Sequence, residues 1–262
     1  QVFDKIGKGA YGCVWQAKIL ESSKEVVVKV VWPDADLDPE DSQGASPGNH
    51  RREAFKKEIQ MMQRVGQHSN VVEFYGATSD CTVIVFEQAL ADLHDIIRKQ
   101  KKSLVLPMIA RCCRDVLKGV EYLHSIRVMH RDIKPANLLV FKDMVVKICD
   151  FGLAREYSEG ENRVKSEMTT LWYRAPELLM GSETYNCRID EWSVGCIILE
   201  MLAGSCQTKG KVEDVCKCPL PTHFNYNGDQ LAKIFMLVGT PRDEKLLSQM
   251  QCRNHFSSWP KY

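Results

Sequence analysis

The segment from His130 to Asn137 reads His-Arg-Asp-Ile-Lys-Pro-Ala-Asn and lies between two apolar runs. Its residue types could carry out a reaction: Asp132 as a base, Lys134 as a positive charge beside a phosphate, and Asn137 as a neutral oxygen ligand of a metal ion. A solvated loop can contain each of these residues by chance. Their order and spacing favour a reaction centre instead, and the rest of the chain must supply the elements that position it.

A glycine-rich stretch near the N-terminus could bring backbone amides close to phosphates. Residues 6–14 read Ile-Gly-Lys-Gly-Ala-Tyr-Gly-Cys-Val, and glycine permits such an approach because no side chain intervenes. The spacing is also compatible with a plain hairpin turn or with a dinucleotide fingerprint, which would need a helix next. Residues 14–19 alternate as a strand does, so a hairpin over a nucleotide fits better.

A single lysine, Lys29, interrupts the β-branched run from Val26 to Val31. An edge strand could leave this lysine in solvent, whereas a buried strand tolerates a charge only when the charge is paired. The pairing candidate is Glu58, which lies in an amphipathic stretch from Arg52 to Val65. We therefore expect an ion pair between a strand and a helix.

A second acidic motif, Asp150-Phe151-Gly152, follows Asn137 by 13 residues and comes directly after an apolar strand predicted at residues 144–149. Asp150 and Asn137 both offer oxygen atoms, the ligands that Mg²⁺ prefers in proteins. Between these regions, the apolar stripe of residues 107–125 predicts a helix that leads into the segment containing Asp132. The apolar run of residues 190–199 predicts a buried helix, in which Asp190 should accept hydrogen bonds from the backbone near Asp132.

These motifs, in this order, resemble those of the eukaryotic protein kinases. The resemblance implies an α+β, bilobal fold: an antiparallel sheet with one helix in residues 1–87, and a mainly helical lobe in residues 88–262. It also implies ATP and Mg²⁺, with Asn137 and Asp150 as metal ligands. Asp132 would accept the proton of the substrate hydroxyl, and Thr170 would contact Asp132 and Lys134. Lys29 and Lys134 would offset charge on the γ-phosphate.

The resemblance further implies a set of residues around the nucleotide. Phe86 would guard the back of the pocket, and the backbone of Glu87 and Ala89 would bind adenine. Val27 stands where the family usually has alanine, so the adenine slot should be narrower. The full set is Ile6, Gly7, Gly9, Gly12, Val14, Val27, Lys29, Glu58, Phe86, Glu87, Ala89, Leu139, Cys149 and Asp150. For the thiols of Cys13 and Cys149, inert packing is favoured over reactivity.

The sequence Trp-Tyr-Arg-Ala-Pro-Glu at residues 172–177 resembles the group that contains cyclin-dependent, MAP, glycogen-synthase and CDC-like kinases. This resemblance implies protein substrates with Ser/Thr-Pro sites, with Arg174 shaping the proline preference. A MAP-kinase-like protein is favoured over a cyclin-dependent one. Arg131, Lys57 and Arg155 would surround a loop phosphate. Ser166 is a candidate for an upstream activating kinase, and constitutive activity stays an equal alternative.

The composition of the chain limits the classes of function that remain possible. The 35 basic and 34 acidic residues among 262 give a formal charge of +1, which provides no support for nucleic-acid or membrane-surface binding. Most of the 11 cysteines lie in apolar stretches, as reduced thiols do, so we expect a cytoplasmic or nuclear protein. A catalytically weak pseudokinase or scaffold is the main rival hypothesis; Lys29, Asp132 and Asp150 are all present, which favours activity.

Three regions depart from the family pattern. Residues 33–50 predict a long flexible connection. Residues from about 204 to 223 form an insert, with a zinc site at Cys206, Cys216, Cys218 and His223 as the weaker alternative to flexibility. The chain starts without methionine and is expected to be a fragment that ends before the last helices of the family. One of those would supply an arginine partner for Glu177.

Overall fold

The computed structural model describes residues 1–8, 12–31, 47–100, 104–158, 170–180, 182, 185–209, 215–217 and 225–242. Its N-terminal part contains the strands β1 (Val2–Lys8), β2 (Gly12–Lys18) and β3 (Glu25–Val31), the helix α1 (Pro47–Val65), and the strands β4 (Phe74–Ala77) and β5 (Val83–Glu87). These strands form one antiparallel sheet in the order β1-β2-β3-β5-β4. Phe55 and Ile59 of α1 pack against Val31 and Ile84, which attaches the helix to the sheet.

The C-terminal part is mainly helical, as the sequence predicts. Its elements are β6 (Ala91–Asp92), α2 (Leu93–Gln100), α3 (Leu106–Ser125), β7 (Val128–Met129), β8 (Leu138–Val140), β9 (Val146–Ile148), β10 (Arg155–Glu156), α4 (Pro176–Leu179), α5 (Arg188–Ala203), β11 (Val215–Lys217), β12 (Asn225–Asn227) and α6 (Gly228–Val238). Short antiparallel sheets join β6, β8 and β9, β7 and β10, and β11 and β12. The predicted α+β fold class is confirmed.

The helix α3 buries the apolar stripe that predicted it. Ile109, Cys112, Val116, Val120 and Leu123 are all buried in the largest hydrophobic cluster. This cluster also contains residues of β8, β9 and α5, together with Met62 and Val65 of α1. The apolar core therefore continues from the helical part into the last turns of α1. The predicted division of the chain at residues 87 and 88 stays a prediction.

Backbone hydrogen bonds connect β9 to the segment that leads from α1 to β4. The amide of Val72 donates to the carbonyl of Ile148 over 2.9 Å, and the amide of Ile148 donates to the carbonyl of Asn70 over 3.0 Å. The side chain of Asn70 also donates to the carbonyl of Val146 over 3.0 Å. The strand β9 is thus fixed from the side opposite its own sheet.

Two segments of the structure differ in length from their predictions. Helix α1 begins at Pro47, so residues 47–50 are not part of a flexible connection. Proline suits the first turn of a helix because its fixed φ is helical and its missing N–H would have no partner there. The predicted strand at 144–149 is shorter, since Asp143 and Met144 take positive φ angles of 58° and 59° and turn the chain just before β9.

The predicted insert begins at Gly204, whose φ of 72° ends α5. Part of it, β11, pairs with β12, so the insert is not wholly irregular. Of the zinc candidates, Cys206 has a free thiol, while Cys218 and His223 lie outside the described residues. Among the helices in the described ranges, none has the length and apolar character that crossing a membrane requires.

Candidate active site

A cavity of about 620 Å³ lies between the N-terminal sheet and the strands β8 and β9. Its volume is in the range of small-molecule sites. Nearly all the residues predicted around a nucleotide line it: Ile6, Gly7, Val14, Val27, Lys29, Glu58, Phe86, Glu87, Ala89, Leu139, Cys149 and Asp150, together with the predicted metal ligand Asn137. Elements distant in the sequence therefore converge on one cleft.

Two of the predicted glycines are exceptions. Gly9 lies outside the described residues. Gly12 does not line the cavity: it lies in β2, where a Cβ atom would collide with the carbonyl group of Val30 and reach within 3.0 Å of the Phe55 ring. Glycine is needed at this position because β2, β3 and α1 pack closely together; its contact with a nucleotide stays a prediction.

Sequence reasoning missed several residues of the cavity, among them Gln16, Val72, Asp92, Asp95 and Lys99. Gln16 could have been found, because it lies two residues after Val14 and so on the same face of a strand. Val72 lies between α1 and β4, and the other three lie after β5, in β6 and α2. Their place at the cavity depends on tertiary contacts, which residue types alone do not reveal.

Lys29 lies between two carboxylates. Its Nζ atom is 2.8 and 2.7 Å from the two carboxylate oxygens of Glu58 and 3.5 Å from Oδ1 of Asp150. The predicted pairing of Lys29 with Glu58 is confirmed. Burial opposes the charge of Lys29, but the attraction of Glu58 and Asp150 outweighs it and raises its pKa. The ammonium group therefore stays charged at neutral pH.

The two carboxylates differ in environment. Glu58 is 3% exposed, and burial raises its pKa despite the attraction of Lys29. Burial also opposes ionisation of Asp150, but Lys29, His130 and Lys134 outweigh it and lower its pKa. Asp150 is therefore ionised at neutral pH and keeps its negative charge on the side of the cavity.

The backbone and its neighbours fix Asp150. The residue takes a left-handed conformation with φ 62° and ψ 76°, which aspartate tolerates better than most residues. The next residue, Phe151, is buried, and its ring meets the His130 ring edge-on with centroids 5.0 Å apart. The His130 Nε2 atom also lies 2.9 Å from the carbonyl oxygen of Cys149. These contacts join the segment of Asp150 to that of Asp132.

Asp132 is the centre of a second network of polar side chains. Its Oδ2 atom accepts hydrogen bonds from Lys134 over 2.6 Å and from Asn137 over 3.0 Å. Its Oδ1 atom accepts from the hydroxyl and backbone amide of Thr170, over 2.9 and 3.2 Å. Lys134 also donates to the Thr170 hydroxyl over 3.0 Å. The predicted contact of Thr170 with Asp132 and Lys134 is confirmed.

The backbone that carries this network is anchored by Asp190 of α5. Its carboxylate accepts hydrogen bonds from the amides of His130 and Arg131, over 2.9 and 2.8 Å, as the sequence predicts. It also lies 3.0 Å from Nε2 of His124. Asp190 is only 1% exposed, so its charge is stabilised by these donors. Arg131 takes a positive φ of 69° at the same place.

The basic residues predicted around a loop phosphate are only partly together. Lys57 and Arg155 line a cavity of about 330 Å³ between α1 and β10, with Arg64 as a third basic residue. Arg131 is not among its lining residues; its guanidinium donates to the carbonyl of Leu153 and the hydroxyl of Tyr185. Ser166, the candidate phosphorylation site, lies outside the described residues.

The thiol of Cys149 lines the large cavity, next to Asp150. Burial and the neighbouring carboxylate of Asp150 raise its pKa strongly. A thiol with a raised pKa carries little thiolate, which is its nucleophilic form. The predicted preference for an inert thiol at Cys149 agrees with this environment.

The oxygen atoms at the edge of the cavity suit a magnesium ion. The hydrogen bonds that the Asn137 carboxamide makes with the described residues both use its nitrogen atom, so they leave its carbonyl oxygen available as a ligand for a metal ion. Asp150 adds an ionised carboxylate on the same cavity. Two oxygen ligands of this kind, with further positions for water and phosphate oxygens, are what Mg²⁺ usually takes in nucleotide sites.

A family model of the protein kinase domain matches residues 1–236. The match spans the N-terminal sheet, the cavity and both polar networks. Proteins of this family are phosphotransferases that generally use ATP and Mg²⁺, which agrees with the oxygen ligands and the positive charge in the cavity. Because the matched residues make up most of the chain and include all the residues that line the cavity, the chain belongs to the protein kinase family.

Proposed function

We propose that this protein is a serine/threonine protein kinase that transfers the γ-phosphate of ATP to Ser/Thr-Pro sites of proteins. A role in MAP-kinase-like signalling is part of the proposal. The observation that carries it is the network in which Asp132 accepts hydrogen bonds from Lys134, Asn137 and Thr170. This network lies beside the nucleotide-sized cavity, to which it also contributes Asn137.

Asp132 is the proposed base. Its carboxylate would accept a hydrogen bond from the substrate hydroxyl and orient the oxygen towards the γ-phosphate. It would take up the proton as the new P–O bond forms and the bond from the γ-phosphorus to the β,γ-bridging oxygen breaks, which releases ADP. Asp132 is 8% exposed, so water competes weakly for its oxygens. The donors from Lys134 and Thr170 hold the carboxylate in place, which reduces the reorganisation needed before transfer.

Positive charge on both sides of the γ-phosphate would stabilise the transferring group. Lys29, held by Glu58, would bind the inner phosphates of ATP, and Lys134 would reach the γ-phosphate from the side of the protein substrate. Mg²⁺, when bound by Asn137 and Asp150, would neutralise charge on the phosphate oxygens. Charge stabilisation and positioning are the main demands of phosphoryl transfer.

The proposed preference for serine and threonine depends on Lys134 and Thr170. The lysine two residues after Asp132 resembles the serine/threonine kinases, and its contact with Thr170 supports a shared role on the substrate side. The proposed preference for proline depends on Arg174. Burial lowers the pKa of Arg174, and the attraction of Asp132 opposes the shift. Because the charges of Arg174 and Asp132 attract each other, Arg174 lies near enough to the proposed base to act on the same substrate.

Regulation and location are also proposals. An upstream kinase would act on the segment containing Ser166, and Lys57, Arg64 and Arg155 would bind the added phosphate. We propose a cytoplasmic or nuclear location; it is supported by the free thiols of the cysteines in the described ranges.

The test is transfer of label from γ-labelled ATP to a Ser-Pro peptide, compared with Ser-Ala and Tyr-Pro peptides. We expect the Ser-Pro peptide to be preferred. Replacement of the base, Asp132→Asn, should lower kcat by roughly 10²–10⁴-fold while ATP binding persists. The matched control is Asp143→Asn, an exposed carboxylate in a turn with positive φ that asparagine also accepts.

Three outcomes would contradict the proposal. Equal labelling by the Asp132→Asn variant would exclude this residue as the base. Preference for the tyrosine peptide would exclude serine/threonine specificity. ATP binding without any transfer by the unmodified protein would favour the rival hypothesis of a binding scaffold.

A further inference from the structure

Lys147 and Glu87 form an ion pair that the proposed reaction does not use. The Nζ atom of Lys147, in β9, lies 2.7 and 2.8 Å from the two carboxylate oxygens of Glu87, the last residue of β5. The side chains are only 18% and 13% exposed. The same Glu87 carboxylate accepts the backbone amide of Glu73 over 2.7 Å, so both of its charge-stabilising partners are fixed parts of the fold.

Alternation along β9 directs Lys147 towards this pair. Its neighbours Val146 and Ile148 are both fully buried in the main core, and successive side chains of a strand point to opposite faces. The Nζ atom also lies 4.7 Å from the centre of the Phe141 ring, which favours a cation. With little access to water, Lys147 depends on Glu87 for stabilisation of its charge.

The pair connects two edges of the large cavity. Glu87 lines that cavity at the end of β5, and β9 leads directly into Cys149 and Asp150 on its other side. We propose that Lys147 is a positioning residue: its ion pair holds the backbone at Glu87 at a fixed distance from Asp150, so that one nucleotide contacts both edges. The inference rests on the proposed function only in identifying the ligand as ATP.

Other contacts hold β9 in place when Lys147 is changed. The backbone hydrogen bonds between Val72 and Ile148 and between Ile148 and Asn70 do not involve its side chain. Neutralising Lys147 should therefore leave the two parts of the molecule together. The end of β5 should shift at Glu87, whose carboxylate loses its counter-charge, within the limits set by the hydrogen bond from its amide to the carbonyl of Glu73.

The test is the variant Lys147→Met, which keeps an unbranched side chain of nearly the same length and removes its charge. We expect KM for ATP to rise about tenfold, which is less than the direct loss of a desolvated charge pair would cause, because the pair acts on ATP only through the position of Glu87. The kcat and the peptide KM should change by less than about twofold. Lys147→Arg should recover most of the affinity because the charge remains. The matched control is Lys142→Met, an exposed lysine before the same strand, which should leave KM unchanged.

A double-mutant cycle isolates the pair. Glu87→Gln keeps an acceptor for the Glu73 amide and removes the charge, so it should raise KM as Lys147→Met does, and the double variant should be no worse than either single one. Additive effects, or an unchanged KM in Lys147→Met, would overturn the inference. A lower melting temperature with unchanged KM would assign Lys147 to stability alone and would also overturn it.

Direct binding separates this inference from the proposed function. Calorimetric titration with Mg-ATP should give a dissociation constant about tenfold higher for Lys147→Met than for the unmodified protein. If the unmodified protein binds Mg-ATP without transferring phosphate, this difference still supports the inference while the kinase activity fails. Equal dissociation constants would reject the inference even if transfer is observed.

Discussion

Lys29 is shared between two carboxylates of unequal burial, and this inequality decides what each contributes. Glu58 has only 4% of its side chain exposed, whereas Asp150 has 47%. Glu58 is therefore a fixed counter-charge that water cannot replace, while Asp150 remains free to bind a ligand from the cavity. The lysine stays protonated and in place because both attract it.

We predict that Glu58→Gln weakens ATP binding. The variant keeps an oxygen acceptor for Lys29 but removes its charge, so the carboxylate of Asp150, 3.5 Å away, should draw Nζ away from the place proposed for the inner phosphates. A hydrogen bond to a charged group contributes about 1.5–3 kcal/mol and a neutral one about 0.5–1.5 kcal/mol, so a loss of about 1–1.5 kcal/mol should raise KM for ATP by roughly one order of magnitude. Steady-state kinetics at varied ATP concentration measures this rise.

The control is Glu53→Gln on the same helix. Glu53 is 61% exposed and lies 4.0 Å from Lys56, so its charge is screened by solvent and its loss should leave KM unchanged. Equal effects of the two variants would mean that α1 responds to any loss of charge, and the specific role of Glu58 would be wrong.

The two lysine–glutamate pairs also show which ion pairs can be predicted from residue types alone. The pairing of Lys29 with Glu58 followed from one charge in a β-branched run and one acid in an amphipathic stretch. The pair of Lys147 with Glu87 was missed, although Lys147 also interrupts an apolar run, because no residue pattern pointed to Glu87, 60 residues away, as its partner. That pair depends on how β5 and β9 are brought together, which only the folded chain determines.

The close approach of α3 to β9 depends on one glycine. A Cβ atom at Gly119 would lie 2.8 Å from the carbonyl oxygen of Asn70 and 2.8 Å from Cδ1 of Ile148. These two residues belong to the backbone connection that fixes β9 and so positions Asp150. The helix must therefore carry a residue without a side chain where it crosses this connection.

We predict that Gly119→Ala destabilises the protein. The overpacking should lower the free energy of unfolding by about 1–3 kcal/mol, which exceeds the gain in helix propensity of up to about 1 kcal/mol. Urea unfolding followed by circular dichroism measures the change. Gly195→Ala in α5 is the control, since its Cβ would meet no atom of the described residues within 4 Å; it should stabilise by roughly 0.5–1 kcal/mol. A stabilised Gly119→Ala variant would contradict the packing argument.

Helices and strands with a periodic apolar pattern could be predicted from the sequence. Their first residues could not be predicted where a turn decides them. The stripe of α3 gave the helix and its buried face correctly. The start of β9 was misplaced because Asp143 and Met144 adopt positive φ angles without a glycine to signal the turn. The start of α1 at Pro47 was missed because the preceding polar stretch shows no periodicity, although proline itself favours a first helical turn.

The active-site cleft depends on an apolar core that extends from the helical part of the molecule into α1. Met62 and Val65 of α1 share one cluster with α3, β8, β9 and α5. The helix that holds Glu58 is therefore packed against both the sheet and the C-terminal part. Such continuity explains why the motifs, which are local in sequence, converge on one cavity.

The carboxyl group of Glu177, in α4, is a group whose burial should destabilise the fold at neutral pH. Burial raises its pKa, and its backbone hydrogen bond only partly opposes the shift. Within the described residues, no ion pair of Glu177 with a basic side chain is found. At neutral pH the folded protein therefore holds a partly desolvated carboxylate that water would stabilise better in the unfolded chain.

The sign of the pH dependence follows from this shift. A carboxyl whose pKa is raised in the folded state contributes stability below its ordinary value of 4.5, and this contribution is lost as the pH rises through the folded pKa.

We predict that Glu177→Gln raises the urea midpoint at about pH 7.5 and leaves it nearly unchanged at about pH 4.5, because the variant stays neutral at both. The matched control Glu121→Gln replaces an exposed residue of α3 and should change neither midpoint. A lower midpoint for Glu177→Gln at about pH 7.5 would mean that the ionised carboxylate has a partner that stabilises the fold, and the role assigned to its burial would be wrong.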